Sequence, residues 1–246
     1  MRGLGTLINV VAILVGSTIG VLIGHRLPER TRRTVTDALG LVTLVIGALN
    51  VVVLRDPAYE EAVGSGGTLL VVLGALVIGG IAGSLLRIED RLESVGGWLQ
   101  HTLARGAKDS RATFVEGFVD ASLVFCIGPL AILGSLSDGL GRGIDQLALK
   151  STLDGFASLA FAASLGWGVA AAALSVGVWQ GALTLLSVVL GSLLSAALIA
   201  SITATGGVLL LGVGLRLLGI KQVSVGDLLP ALLVAPLLTL AVAAIR

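Results

Sequence analysis

From Ser151 to Ile220 the chain runs for seventy residues with only two charges, Asp154 and Arg216. A helical bilayer crossing takes ~20 apolar residues, so this tract alone predicts about three consecutive transmembrane helices. The rest of the chain repeats the pattern, with apolar runs between short polar segments. Crossings are predicted near 4–25, 34–54, 66–87, 112–136, 152–176, 180–200, 203–219 and 227–245. That makes eight, or seven if one segment is re-entrant. Charged loops separate the first three. Later boundaries rest on weaker breaks, at Gly177-Val178-Trp179-Gln180-Gly181 and at the polar stretch from Ser201 to Gly207. The pattern predicts an all-α, polytopic helical membrane protein forming a single integral membrane domain over 1–246.

The first apolar run, Leu4 to Ile23, exceeds the ~7–15 residues of a signal-peptide core and lacks an A-x-A site after it, so it reads as a retained helix. Lys and Arg concentrate in cytoplasmic loops. Loop 26–33 holds Arg26, Arg30, Arg32 and Arg33, and loop 87–111 holds Arg87, Arg91, Arg105, Lys108 and Arg111. Between them, loop 55–65 has Arg55 against Asp56, Glu60 and Glu61. The N-terminus is therefore expected outside, and eight crossings return Arg246 to that side. Within 88–104, Ile88, Leu92, Val95, Leu99 and Leu103 recur at helical spacing beside Trp98, which predicts an amphipathic helix. It would lie in the membrane interface or pack on the cytoplasmic ends of other helices.

An internal echo suggests an inverted repeat of three helices. The second predicted helix carries Thr36-x3-Gly40-x6-Gly47 and the seventh carries Thr203-x3-Gly207-x6-Gly214. The helices before them share Gly5-Thr6-Leu7 with Gly16-Ser17, and Gly181-Ala182-Leu183 with Gly191-Ser192. An odd number of crossings separates the two units, so they would be inserted upside down relative to each other, an architecture common among transporters.

Composition sharpens this picture. Mean hydropathy is +1.03 and charged residues make up 13%, against about 25% in soluble domains. The 35 glycines suit helices that associate by close backbone approach. Small-residue faces such as Gly16-x3-Gly20-x3-Gly24 and Gly79-x3-Gly83 would serve packing within the chain or between copies in a homo-oligomer. Cys126 is the sole cysteine, and His25 and His101 lie in separate loops, so neither an intrachain disulfide nor a metal or other cofactor is expected. The net charge of +1 gives no reason to expect nucleic acid.

Candidate chemistry concentrates in 113–158. Glu116 and Asp120 lie four apart on one helical face. Ionisable groups in a bilayer usually face a cavity, a partner or an ion path, although Glu116 would also be solvated at headgroup depth. In Cys126-Ile127-Gly128-Pro129 the proline removes a backbone donor. That either kinks a packed helix or frees carbonyls able to coordinate a small cation with Ser122 or Ser135. Lys150, Asp154 and Ser158 share a face at i, i+4, i+8. Lys150 and Asp154 would form a structural pair, or Asp154 would act as a gate or proton relay facing Asp120. Arg216 would anchor at the interface, and Asn9, Asn50 and Gln180 would hydrogen-bond between helices. The candidate ion or solute path is therefore Glu116, Asp120, Cys126, Gly128, Pro129, Lys150, Asp154 and Ser158. Enzyme signatures such as G-x-S-x-G, H-E-x-x-H and G-x-x-x-x-G-K-[ST] are absent from the sequence, so no enzymatic activity is expected.

The segments Ser122–Leu140 (SLVFCIGPLAILGSLSDGL), Leu149–Val169 (LKSTLDGFASLAFAASLGWGV), Val178-Trp179-Gln180-Gly181, Leu229-Pro230-Ala231 and the opening GTLINVVAILVGSTIGVLIG resemble the YdfK/YqgA-type family of bacterial membrane proteins. The resemblance covers nearly the whole chain. It implies a bacterial inner-membrane location and, the family being one of unknown function, no activity and no site residues. Two functions fit the residues: a passive or ion-coupled transporter or channel for a small solute or monovalent cation, and a non-transporting scaffold or regulatory protein whose partner surface is loop 87–111.

Overall fold

A computed structural model describes residues 2–103, 111–187 and 194–245. Arg105, Lys108, Gly191, Ser192 and Arg246 lie outside them. Among the described residues the regular elements are helical: α1 (Leu4–Gly24), α2 (Glu29–Val51), a 3-10 turn (Val52–Arg55), α3 (Pro57–Val63), α4 (Gly67–Leu85), α5 (Ile88–Leu103), α6 (Arg111–Cys126), α7 (Pro129–Gly139), α8 (Asp145–Leu165), α9 (Gly168–Leu185), α10 (Ala196–Leu217), α11 (Val225–Leu228) and α12 (Ala231–Ile245). Six of these elements are long and apolar enough to cross a bilayer: α1, α2 with its 3-10 turn, α4, α9, α10, and α11 with α12. The pair α6–α7, bent by 64°, brings the number to seven. The chain is thus a helical, polytopic membrane protein. α8 has crossing length, but Asp145, Lys150 and Asp154 make it more polar than the others.

Each predicted crossing coincides with a helix, three of them displaced. Among the described residues, however, six, or seven with α6–α7, are apolar enough to cross, and α8, where 152–176 is predicted, is not one of them. The segments predicted at 152–176, 180–200 and 203–219 form Asp145–Leu165, Gly168–Leu185 and Ala196–Leu217. The cause is Leu165-Gly166-Trp167-Gly168. Gly166 turns the chain at φ 71°, a conformation costly to any residue with a Cβ. A Cβ on Gly168 would stand 2.0 Å from the Phe114 carbonyl oxygen.

The chain packs as two compact units, 1–40 with 92–191 and 41–91 with 192–246. In the first unit, α1 and α8 run in the same direction. Cβ atoms on Gly16, Gly20 and Gly24 would fall 2.2, 2.2 and 2.4 Å from the carbonyl oxygens of Gly155, Leu159 and Ala163. This small-residue face therefore packs within the chain. The helices α6 and α9 also run parallel, joined by Ser122 Oγ to Ser175 Oγ at 3.0 Å, while α9 runs antiparallel to α1, with Gln180 beside Asn9 and Gly177 beside Val10. α5 packs Gly96 against Val115 and Phe118 of α6 and buries Leu99. Its other side exposes Val95 and Trp98.

In the second unit, α2 and α10 cross antiparallel where Gly47 meets the Gly207 carbonyl. The helix α4 runs antiparallel to α11–α12, with Gly79 on Ala231 and Gly83 on the Asp227 carbonyl. Its apolar core falls in two clusters: Tyr59, Val63, Val71 and Ala200 form one, and Ala75, Ala231 and Ala235 another. Burial pushes the Tyr59 phenol up to about 12, so it stays protonated and donates to the Thr68 carbonyl at 3.4 Å.

These directions bear on two expectations. A chain that reverses at every crossing, with α2 and α4 both spanning, brings α8 parallel to α1 only if the bent α6–α7 pair makes one full crossing. The antiparallel pairs α1/α9, α2/α10 and α4/α12 are what an inverted three-helix repeat would produce. Thr36 and Thr203 occupy the same position from the start of α2 and α10, so that echo is in register. The other echo is not. Gly5-Thr6-Leu7 begins α1, whereas Gly181-Ala182-Leu183 closes α9, and Gly191-Ser192 lies outside the described residues.

Candidate functional site

The first unit concentrates buried polar side chains at one level. Asn9 of α1 donates from Nδ2 to Asp154 Oδ2 of α8 at 2.9 Å and to Gln180 Oε1 of α9 at 3.3 Å. Asp154 also pairs with Lys150 one turn earlier on α8. The four residues are buried, Asn9 and Gln180 fully. An ionised Asp154 fixes the amide orientations, since it accepts only an N–H, which leaves the Gln180 oxygen for the second Asn9 proton. At 1.5 Å per residue the cluster lies roughly 8–14 Å along α1 and α8 from their N-terminal ends.

The broken helix stands beside this cluster. α6 ends at Cys126, and Pro129 opens α7, the position where its missing N–H costs least. Between them Gly128 takes φ 154° and ψ 154°, a conformation that residues with a Cβ rarely adopt. The Ser122–Ser175 contact puts Cys126 level with the end of α9 that carries Gln180. The charges of Lys150 and Asp154 lie within electrostatic reach of the Cys126 sulfur. The negative end of the α6 dipole and the positive end of α7 thus meet in the neighbourhood of a buried ion pair. Half-helix ends of this kind bind ions and charged substrate groups in transporters.

Of the predicted path the structure joins Lys150 and Asp154, with Cys126 within electrostatic reach and the Gly128–Pro129 break following it in the chain; Asn9 and Gln180 are the interhelical hydrogen-bonding groups. Ser158 lies on the same face of α8 but spends its hydroxyl on the Gly155 carbonyl at 2.9 Å and seats against Gly16, a packing role. Asp120 is fully buried on α6, whereas Glu116, one turn earlier, is exposed. Glu116 makes no part of the Lys150–Asp154 cluster.

Two features escape sequence reasoning. Asp138 of α7 is buried and accepts the backbone N–H groups of Gly3 and Gly5, each at 3.1 Å, capping α1 through its carboxylate. In Ser137-Asp138-Gly139 it reads as a loop acid, and nothing local signals a partner 133 residues away. In the second unit, Arg216 is not a free interfacial anchor. It donates to Glu89 Oε1 at 2.6 Å, while Glu89 Oε2 accepts Gly226 N–H at 2.6 Å and Asp227 Oδ1 accepts Glu89 N–H at 3.0 Å. This is a latch between the starts of α5 and α11 and the end of α10. Among the described residues no three His, Cys, Asp or Glu side chains gather as a metal site requires.

Comparison with known proteins places the chain. It is 33% identical over 232 residues to the uncharacterized membrane protein YdfK of Bacillus subtilis (strain 168), covering 94% of this chain and 93% of that one. It is 32% identical over 234 residues to the uncharacterized protein YqgA of Escherichia coli (strain K12), covering 94% of each. No solved structure matches. The family model described as protein of unknown function (DUF554) matches residues 4–240, and the chain belongs to that family.

Proposed function

We propose that this protein is a passive or ion-coupled transporter or channel for a small solute or monovalent cation, working through its first unit. One observation carries the reading: the buried Lys150–Asp154 pair, tied to Asn9 and Gln180 beside the Gly128–Pro129 break. A fixed ion pair deep in a bilayer is costly, and a purely apolar α8 would pack as well against the α1 glycines. Placed at the ends of two half-helices, the pair forms a gate. Protonation of Asp154, or a cation displacing the Lys150 ammonium from its carboxylate, frees that ammonium and reorganises the amides.

Orientation follows from the alternation of crossings. Arg26, Arg30, Arg32, Arg33, Arg87 and Arg91 fall on the face opposite the N-terminus, and Arg55 and Arg142 on the N-terminal face. The positive-inside rule supports an N-terminus outside, and a helical rather than β-barrel build supports the inner membrane of a bacterial cell. No enzymatic role is part of this reading. A scaffold or regulatory role finds support in one feature, the exposed Val95 and Trp98 of α5.

The test is flux. Purified protein in liposomes should carry protons, Na⁺ or K⁺, and Asp154→Asn should lower that flux while the protein remains folded. Unchanged flux of all three ions in Asp154→Asn and Asp120→Asn would remove both carboxylates from the mechanism.

A further inference from the structure

Several buried hydroxyls bond to their own helix: Ser151 to the Leu147 carbonyl, Ser158 to Gly155, Thr205 to Ser201 and Thr239 to Ala235. Six uncharged buried polar atoms of the first unit do not: Ser17 Oγ stands by itself, two turns beyond Asn9 on α1, and the other five lie together. Thr6 Oγ1, Ser135 Oγ, Asn9 Oδ1, Gln180 Nε2 and Thr184 Oγ1 have no hydrogen-bond partner in the protein. Their placement is ordered. Asn9 touches Gln180, and because α1 and α9 run antiparallel, one turn back along α1 reaches Thr6 as one turn forward along α9 reaches Thr184. Ser135 precedes Asp138 by one turn of α7, and Asp138 grips the start of α1. The five atoms thus follow one seam, where α1, α7 and α9 meet, from the N-terminal end of α1 to the Lys150–Asp154 pair.

We infer that a file of water enters the first unit along this seam from the membrane face bearing the N-terminus and ends at Lys150–Asp154. A dry polar atom in a bilayer is disfavoured, and five set side by side, including two amide groups, require a polar partner where the isolated Thr203 hydroxyl of α10 does not. Their chemistry selects it. Gln180 Nε2 only donates, Asn9 Oδ1 only accepts, and the hydroxyls do both. A bare cation meets the wrong end of Gln180 and an anion the wrong end of Asn9, whereas water satisfies each. The file gives Asp154 a route for proton exchange with one side of the membrane, and it stands whether or not a solute crosses.

Single cysteines in a Cys126→Ala background test it with a small, charged, membrane-impermeant methanethiosulfonate added to the N-terminal face. Thr6→Cys, Ser135→Cys and Thr184→Cys should react at least about tenfold faster than the depth-matched controls Leu7→Cys and Leu185→Cys, because a thiol ionises in water and not in lipid. Leu7 and Leu185 are 59% and 85% exposed on the outer surface of the helices. Equal rates at reporters and controls, or reaction only from the opposite face, would overturn the file. Ser135→Cys is nearly isosteric and decides the matter alone if a threonine variant fails to insert. Labelled reporters without ion flux would sink the transport reading and leave the file standing.

Discussion

The two units are built by one method and filled differently. Each joins its helices through glycines set against a neighbouring backbone, Gly16, Gly20 and Gly24 in the first and Gly47, Gly79 and Gly83 in the second. Small residues let helices approach closely where lipid removes the hydrophobic drive for association. The interiors diverge. The second unit buries alanines, valines and a tyrosine and keeps its ion pair, Glu89–Arg216, near helix ends with side chains 13% exposed. The first buries Lys150, Asp154, Asn9 and Gln180 within its helices and breaks a helix beside them. Packing does not require that expense, since the second unit packs without it. That difference is what the proposed transport role of the first unit rests on.

Removing one charge should separate the units most sharply. Lys150→Met leaves Asp154 buried without its cation and should cost about 3–5 kcal/mol in thermal or denaturant unfolding, whereas the double change Lys150→Met with Asp154→Leu should recover most of that loss. A single variant as stable as wild type would show that the pair is not formed in the membrane. Glycine substitutions come next and should act alike in both units. Gly16→Ala and Gly83→Ala, whose Cβ atoms would fall 2.2 Å from the Gly155 oxygen and 1.9 Å from the Asp227 oxygen, should each cost about 1–3 kcal/mol. A large effect in one and none in the other would break the shared-method half of the comparison. In the second unit Arg216→Ala should cost about 1–2 kcal/mol, less than Lys150→Met, because Glu89 keeps its bond from Gly226 and gains water at the helix ends. The smallest effect belongs to Thr203→Val. Thr203 is buried in α10 with an unpartnered hydroxyl, and replacing it by a methyl should leave stability within about 0.5 kcal/mol of wild type, on the favourable side.

Local features of this fold were legible and distant ones were not. The first three spans, the α5 amphipathic helix and the Gly128–Pro129 break follow from runs and residue types that act over a few positions. The Lys150–Asp154 pair follows from its i, i+4 spacing. The break at Gly166 was hidden because one glycine among 35 carries little information where glycines also serve packing. Its consequence, a displacement of three helices, came from two residues. Asp138 and Glu89 were unreadable for another reason. Their partners lie 133 and 127 positions away, and a carboxylate facing helix N–H groups or a distant arginine leaves no local pattern. Asn9 and Gln180 were recognisable as buried amides, but nothing in the sequence revealed that they meet at Asp154.

A matched pair of carboxylates puts the division of labour to the test. Asp154→Asn in the first unit and Glu89→Gln in the second each remove one negative charge from an ion pair at nearly constant shape. Measured side by side as proton and monovalent-cation flux in liposomes, Asp154→Asn should lose most of the flux while Glu89→Gln keeps it. Equal loss in the two, or loss only in Glu89→Gln, would contradict the assignment of the working site to the first unit.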